Sequence, residues 1–131
     1  MIRWGIVGLG NMAHRFANSI QETNNAKLIG VASLNENRLK LFKENFNLTK
    51  ENTYNKYENL ISSKNIDAIY ISTLNNTHLE MIKKSSEHKK NILCEKPMAI
   101  NYDETKIASK YIKKNNIGFY EAIAYRTHVQ T

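Results

Sequence analysis

The stretch Gly8-Leu9-Gly10-Asn11-Met12-Ala13 decides how this chain folds. It fits the pattern G-x-G-x-x-A and stands between an apolar run that ends at Val7 and a segment with helical spacing. In that setting the first glycine permits a tight turn, the second lets the backbone approach a diphosphate, and the alanine keeps the helix close to the sheet. The string alone is weak evidence, because a plain strand-to-helix turn also uses a glycine. Its place after a strand and before a helix predicts an anion-binding turn.

Outward from this turn, short apolar runs alternate with amphipathic segments, which is typical of βαβ chains with a parallel sheet. The predicted strands are residues 3–7, 27–32, 53–54, 67–72, 91–94 and 117–121. Right-handed crossovers between them give the strand order 3-2-1-4-5-6. The fold class is therefore α/β, a doubly wound, mostly parallel Rossmann sheet.

The last predicted helix begins after Asn101, with Glu104 three residues on in the manner of a capping box. It runs through Lys114, and its spacing predicts four inward-facing residues. These are Ile107, Ala108, Tyr111 and Ile112.

Composition places the chain among ordinary globular proteins. Its 131 residues fit one domain, with 41% apolar and 24% charged residues. No apolar run approaches the roughly 20 residues of a membrane helix, and no secretory segment opens the chain. The single cysteine, Cys94, excludes an internal disulfide and is expected to be a core residue, not a nucleophile. We expect a cytoplasmic protein, and no spacing of His, Cys or Asp predicts a metal site.

The net charge of +7 raises the possibility of a nucleic-acid-binding protein. Most of this charge comes from lysines scattered through the helical segments, with no arginine-rich stripe among aromatics. Solvated helix faces explain such a distribution, and the overall field also suits an anionic cofactor. Charge is the sole support for nucleic acid.

The end of the second strand usually selects between NAD and NADP. An acidic residue at that position binds the ribose 2′-hydroxyl of NAD, but the strand here ends in Ser33-Leu34-Asn35. Ser33 could donate to a 2′-phosphate and Arg38 could reach it from the next helix, although Arg38 could equally be a solvated helix residue. The pattern weakly favours NADP over NAD.

Two further polar stretches follow the fourth and fifth strands, where open α/β folds place their ligands. They are residues 72–78, Ser-Thr-Leu-Asn-Asn-Thr-His, and residues 94–97, Cys-Glu-Lys-Pro. Together with residues 121–130, Glu-Ala-Ile-Ala-Tyr-Arg-Thr-His-Val-Gln, they resemble the glucose–fructose oxidoreductase and inositol dehydrogenase (Gfo/Idh/MocA) family. The resemblance is strongest to the dihydrodiol dehydrogenase-like branch of the family. It extends over the whole chain, with the motifs in the family's order.

The resemblance implies an NAD(P)-dependent oxidoreductase that transfers a hydride between the nicotinamide and a sugar, polyol or related secondary alcohol or ketone. It implies that Lys96 contacts the nicotinamide ribose and the substrate hydroxyl in a proton relay and is the catalytic residue of this half. It also implies that Glu95 orients the cofactor, while Asn75 and His78 line the nicotinamide side. The residues expected to contact the cofactor are Gly8, Gly10, Asn11, Met12, Ser33, Arg38, Thr73, Leu74, Asn75, His78, Glu95 and Lys96.

Family members are two to three times longer, so the resemblance implies a dinucleotide-binding domain over residues 1–122 and the start of a linker at 123–131. The substrate domain, with the acid/base histidine typical of the family, would then be missing, and this chain alone would be inactive. The uncovered tail would favour self-association. The alternative is a non-catalytic module that senses the cofactor or docks a partner.

Three positions depart from the family pattern. Leu74 stands where proline is usual, which predicts a less rigid loop, and Val129 replaces the proline of a His-Pro-Gln run. Leu34 replaces a common arginine, which weakens the case for NADP.

Overall fold

The computed structural model describes residues 1–122, which form a six-stranded parallel sheet with helices on both faces. The strands are β1 (Ile2–Val7), β2 (Ala26–Ala32), β3 (Thr53–Tyr54), β4 (Ala68–Ile71), β5 (Asn91–Glu95) and β6 (Phe119–Ala122). The helices are α1 (Asn11–Gln21), α2 (Glu36–Asn45), α3 (Tyr57–Ile61), α4 (His78–Glu87) and α5 (Tyr102–Asn115). The strand order is β3-β2-β1-β4-β5-β6, which confirms the predicted Rossmann topology. The predicted linker at 123–131 lies outside the described residues.

The sheet divides the apolar interior into two layers. On one face, Ala13 and Ala17 of α1 and Phe42 of α2 pack on the strands around Ile6 and Tyr70. On the other, α3, α4 and α5 cover a larger cluster that contains, among others, Leu60, Ile61, Ile69, Ile71, Ile82, Ile92 and Ala108. All four residues of β4 are buried, as expected for a central parallel strand covered on both faces.

Two details of α5 and β6 differ from prediction. Ile107 is 40% exposed, whereas its neighbour Ala108 is fully buried. One residue is about 100° around a helix, so Ile107 falls at the edge of the face that Ala108 and Ile112 present to the core. The last strand begins at Phe119: Asn116 ends α5 in the left-handed conformation, and residues 117–118 connect the helix to the strand.

The predicted cap of α5 is confirmed with a small change of partner. The Asn101 side chain accepts a hydrogen bond from the Glu104 amide at 2.9 Å. The Glu104 carboxylate reaches back to the amide of Ile100, one residue before the cap, at 3.0 Å. Both contacts stabilise the start of the helix that follows residues 94–97.

The register brings four strand ends to one edge of the sheet. Val7 lies beside Ala32 on one side and Ile71 on the other, and Ile71 lies beside Cys94. The loops that follow β1, β2, β4 and β5 therefore start side by side. This carboxyl edge contains the polar stretches found in the sequence.

Candidate functional site

The turn after β1 needs a glycine at position 8. Gly8 has φ +88°, and its amide donates to the Ala32 carbonyl at 2.9 Å. A Cβ there would lie 2.7 Å from the carbonyl oxygen of Ser72. The turn is thus pressed against the end of β4, where no side chain fits.

Gly10 faces open space instead. It caps α1 with extended backbone, and a Cβ at this position would meet nothing within 4 Å. The start of α1 has no side-chain cap and no acidic residue in its first turn, so its amides and the positive end of the helix dipole face this space. Asn11 and Met12 are exposed beside it, and the buried Ala13 holds the helix against the sheet. This is the shape and charge that a diphosphate requires.

The end of β2 carries neutral side chains. Ser33 is buried, and its hydroxyl accepts a hydrogen bond from the Asn35 amide at 3.1 Å, which leaves the hydroxyl proton for another acceptor. Asn35 in turn caps α2 by accepting from the Arg38 amide at 3.1 Å. The Arg38 side chain is exposed, and Leu34 projects 70% into solvent.

The loop after β4 is braced by a threonine. The Thr77 hydroxyl lies 2.6 Å from the Leu74 carbonyl and 2.7 Å from the Thr73 hydroxyl. These contacts close the turn around Leu74, which itself is exposed, as is Asn75. The turn is therefore closed by side-chain contacts at the position where the family pattern has proline.

His78 lies beneath this loop and is fully buried. Its Nδ1 is 2.7 Å from the Pro97 carbonyl and its Nε2 is 3.0 Å from the Thr73 carbonyl. A neutral imidazole can donate to one of these oxygens, and an imidazolium can donate to both. Because both nitrogens face backbone oxygens, an influence of His78 on a bound nicotinamide would pass through the two loops that it joins.

Lys96 and Glu95 meet different surroundings at the end of β5. Lys96 is exposed and forms no ion pair with any residue in 1–122, and its peptide bond to Pro97 is cis. Glu95 is half-buried, and its carboxylate accepts a hydrogen bond from the Tyr70 hydroxyl. The ammonium is available to a ligand, while the carboxylate already has a protein partner.

Two residues to which sequence reasoning gave no role hold this segment. Tyr70 is buried in β4, and Glu121 of β6 accepts from the Met98 amide at 2.7 Å. With His78 on the Pro97 carbonyl, residues 95–98 are held from three separate parts of the chain. A phenol within an otherwise apolar central strand was the available signal for Tyr70, because buried tyrosine hydroxyls take hydrogen-bond partners.

A cleft of about 630 Å³ opens between α1 and the strands β4, β5 and β6. Its walls include Met12, Phe16, Tyr70, Leu93, Glu95 and Lys96. It therefore connects the helix that starts at the glycine turn with the charged end of β5. An elongated ligand lying along the carboxyl edge would contact both.

Cys94 is a core residue, as predicted. Its side chain is fully buried, and burial, followed by the charges of Glu121 and Glu95, raises the pKa of the thiol to about 12. It has little thiolate character at neutral pH. Among residues 1–122 no group of three potential metal ligands comes together, and none of the helices there has the length and apolarity to cross a bilayer.

Comparison with known proteins assigns the chain a family. Residues 2–121 match the family model GFO_IDH_MocA, described as an oxidoreductase family with an NAD-binding Rossmann fold. A myo-inositol 2-dehydrogenase of Thermotoga maritima is 28% identical over 116 residues, which are 88% of this chain and 34% of the relative. A trans-1,2-dihydrobenzene-1,2-diol dehydrogenase of Xenopus tropicalis is 30% identical over 122 residues, 92% of this chain and 36% of the relative.

The fold also matches solved structures. A scyllo-inositol dehydrogenase from Lactobacillus casei, solved with NAD(H) and scyllo-inositol bound, superimposes with a TM-score of 0.90 at 23% identity. The match covers 98% of this chain and 38% of that structure. The chain spans about a third of the length of the curated relatives it matches.

Proposed function

Since this chain belongs to the Gfo/Idh/MocA oxidoreductase family and contains its NAD-binding Rossmann domain, we propose that a nicotinamide dinucleotide binds along the carboxyl edge of the sheet. The open space at Gly10, above the uncapped start of α1, carries this proposal. A diphosphate there would accept hydrogen bonds from the first amides of the helix. Because Gly8 has no side chain, the turn can lie against the end of β4, which leaves room for that approach.

The nicotinamide end would lie over Thr73, Leu74, Asn75, Glu95 and Lys96. When bound, the nicotinamide supplies the hydride chemistry. Lys96 presents an exposed ammonium that forms no ion pair within residues 1–122, and it is suited to a ribose or substrate hydroxyl whose proton must be held or released during hydride transfer. Glu95, kept in place by Tyr70, would orient the ring.

The substrate we propose for the whole protein is a polyol, a sugar or a related secondary alcohol or its ketone. The support is the inositol and dihydrodiol dehydrogenases among the relatives. We place the reaction in the cytoplasm, because one buried cysteine suits a reducing compartment. Association between copies stays a prediction.

Replacement of Gly10 by valine tests the binding site. The new side chain would enter the space proposed for the diphosphate, and its Cβ would meet no atom within 4 Å, so the fold should persist. We expect NADH and ADP-ribose binding, measured by calorimetry, to fall by about 100-fold or more, while the melting temperature stays within a few degrees. The matched control is Asn18→Val, an exposed position on the same helix, which should bind normally. Undiminished binding by a folded Gly10→Val protein would refute the site.

We further propose that NADPH binds at least as tightly as NADH. The neutral end of β2, the free proton of the Ser33 hydroxyl and the exposed Arg38 support a 2′-phosphate site. A charge-assisted contact of this kind is worth about 1.5–3 kcal/mol, or roughly one to two decades in affinity. Arg38→Ala should therefore weaken NADPH binding and spare NADH, whereas Lys40→Ala, on the same helix, should change neither. A tighter dissociation constant for NADH than for NADPH in the unaltered chain would overturn the preference.

A further inference from the structure

Tyr70 connects two parts of the proposed cofactor site. Its ring stacks on Phe16 of α1, with centroids 4.2 Å apart and planes 27° from parallel. Its hydroxyl donates to the carboxylate of Glu95 at the end of β5. One side chain therefore touches both the helix that starts at the glycine turn and the acidic group at the opposite end of the cleft.

The hydroxyl is suited to be a permanent donor. Burial first, and then the Glu95 carboxylate, raises the pKa of Tyr70 well above its ordinary value, so the phenol keeps its proton at every working pH. Within residues 1–122 no other side chain donates to the Glu95 carboxylate. The acceptor is charged, which makes the contact stronger than a neutral hydrogen bond.

The strand holds the phenol in place. Tyr70 is 2% exposed, and its backbone is paired with Ile6 of β1 and Leu93 of β5. A residue on a central strand with its ring packed in the core cannot follow a moving loop. The flexible partner in the pair is the glutamate side chain, which would have other rotamers open to it without the donor.

We propose that Tyr70 is a positioning residue that holds the Glu95 carboxylate against the nicotinamide half of the bound dinucleotide. The inference rests on the proposed function, because it assumes that a dinucleotide occupies this edge. It adds a residue of β4 that does not itself need to touch the ligand. It also makes the affinity for the nicotinamide depend on the hydrogen bond between Tyr70 and Glu95.

The test compares two ligands that share all but one end. ADP-ribose retains the adenosine, the diphosphate and the distal ribose, while NADH adds the nicotinamide. Tyr70→Phe keeps the stacked ring and removes one hydroxyl, so we expect NADH to bind about tenfold more weakly and ADP-ribose to bind within twofold of the unaltered chain. Tyr111→Phe on α5, whose hydroxyl has no partner within residues 1–122, is the matched control and should change neither constant.

A double-mutant cycle establishes whether Tyr70 acts through Glu95. Glu95→Gln should weaken NADH binding, and adding Tyr70→Phe to it should cost little more, because the charged acceptor is already gone. Three results would overturn the proposal. Tyr70→Phe could weaken ADP-ribose and NADH binding equally, or a folded Tyr70→Phe protein could bind NADH as the unaltered chain does. The losses in NADH affinity of the two single variants could also add fully in the double variant. An unaltered chain that binds neither ligand would overturn the proposed function itself, and this inference with it.

Discussion

The lysines at the two edges of the sheet have opposite surroundings. At the amino edge, Asp67 accepts from the amide, Nε and Nη2 of Arg3 at 2.8–3.0 Å. Nearby, the buried Lys90 ammonium donates to the carbonyls of Ser63 and Ile66, each at 2.6 Å. At the carboxyl edge, Lys96 has no ion-pair partner within residues 1–122, and the N-cap of α1 is a glycine, which has no side chain to cap the first amides.

The contrast separates groups that stabilise the fold from groups that remain available to a ligand. Removal of the Lys90 ammonium from water lowers its pKa, and the ammonium donates to two carbonyls of the turn after α3. In the described part of the chain, Lys96 makes no comparable contact. Substitutions at the amino edge should therefore affect stability, and most of those at the carboxyl edge should affect binding.

Gly8 lies at the carboxyl edge, but its substitution should affect stability, and this effect should be the largest. Gly8→Val would force a β-branched residue to φ +88° and place its Cβ 2.7 Å from the Ser72 carbonyl oxygen. We expect a loss of about 3 kcal/mol or more in the free energy of unfolding, measured by urea titration. Gly10→Val is the control and should lose binding with little change in stability. Equal stability of the two variants would contradict the distinction between the two glycines.

The two lysines give the next largest difference. Lys90→Met keeps the apolar stem but leaves the Ser63 and Ile66 carbonyls without their donor. Carbonyls that lose a buried partner cost about 1–3 kcal/mol, so the melting temperature should fall by several degrees. Lys96→Met should leave the melting temperature within about 2 °C and weaken NADH binding. A melting temperature that falls in Lys96→Met and stays unchanged in Lys90→Met would show that Lys96 supports the fold.

Substitution of Thr77 tests whether its hydroxyl restricts the loop at Leu74, the position where the family pattern has proline. Thr77→Val preserves shape and removes the contacts to the Leu74 carbonyl and the Thr73 hydroxyl. We expect a destabilisation of about 1 kcal/mol and faster amide hydrogen exchange in residues 73–77. Thr77→Val combined with Leu74→Pro should recover part of that protection, since proline restricts the loop. An unchanged exchange rate in the single variant would mean that the turn is held by other contacts.

The Arg3–Asp67 pair should give the smallest effect, because both side chains are more than a third exposed. Arg3 lowers the pKa of Asp67 to about 2, below its ordinary 3.8, chiefly through its side-chain hydrogen bonds. A carboxylate whose folded-state pKa is depressed stabilises the fold above its unfolded pKa and loses this contribution as pH falls through the folded value. The stability difference between the unaltered chain and Asp67→Asn should therefore be constant near neutral pH and shrink between about pH 4 and pH 2.

Urea titrations across that range measure the difference. Glu80→Gln, which removes the exposed pair with Lys84 on α4, is the matched control for the loss of an exposed ion pair. A difference between Asp67→Asn and the unaltered chain that grows as pH falls would contradict the assigned sign.

Local pattern was enough to predict most of the fold. The residues between Val7 and Ala13 contain the tight turn, the open approach and the small helix contact within one short stretch, so the pattern could be recognised without its distant neighbours. The order of apolar runs then determines the topology, because right-handed crossovers leave few arrangements. The cap at Asn101 was equally visible, since capping contacts span three residues.

Side-chain partners across the sheet could not be predicted in this way. His78 was predicted to line the nicotinamide side, and the structure places it beneath the loop, between two carbonyls that are 5 and 19 residues away in sequence. The Tyr70–Glu95 and Glu121–Met98 contacts likewise join segments 25 and 23 residues apart. Spacing in the sequence carries no information about which polar groups meet at such distances.

The sequence by itself therefore determined the Rossmann topology, the glycine turn and the edge of the sheet at which function is expected, because these follow from periodicity and local sterics. Only the tertiary structure decided which of the edge residues are available to a ligand. Lys96 and Glu95 are adjacent in the chain, but Glu95 is the last residue of β5 and Lys96 lies just beyond the strand, so their side chains meet different neighbours. Burial and the nearest polar partner, which are properties of packing, separate the exposed ammonium from the carboxylate held by Tyr70.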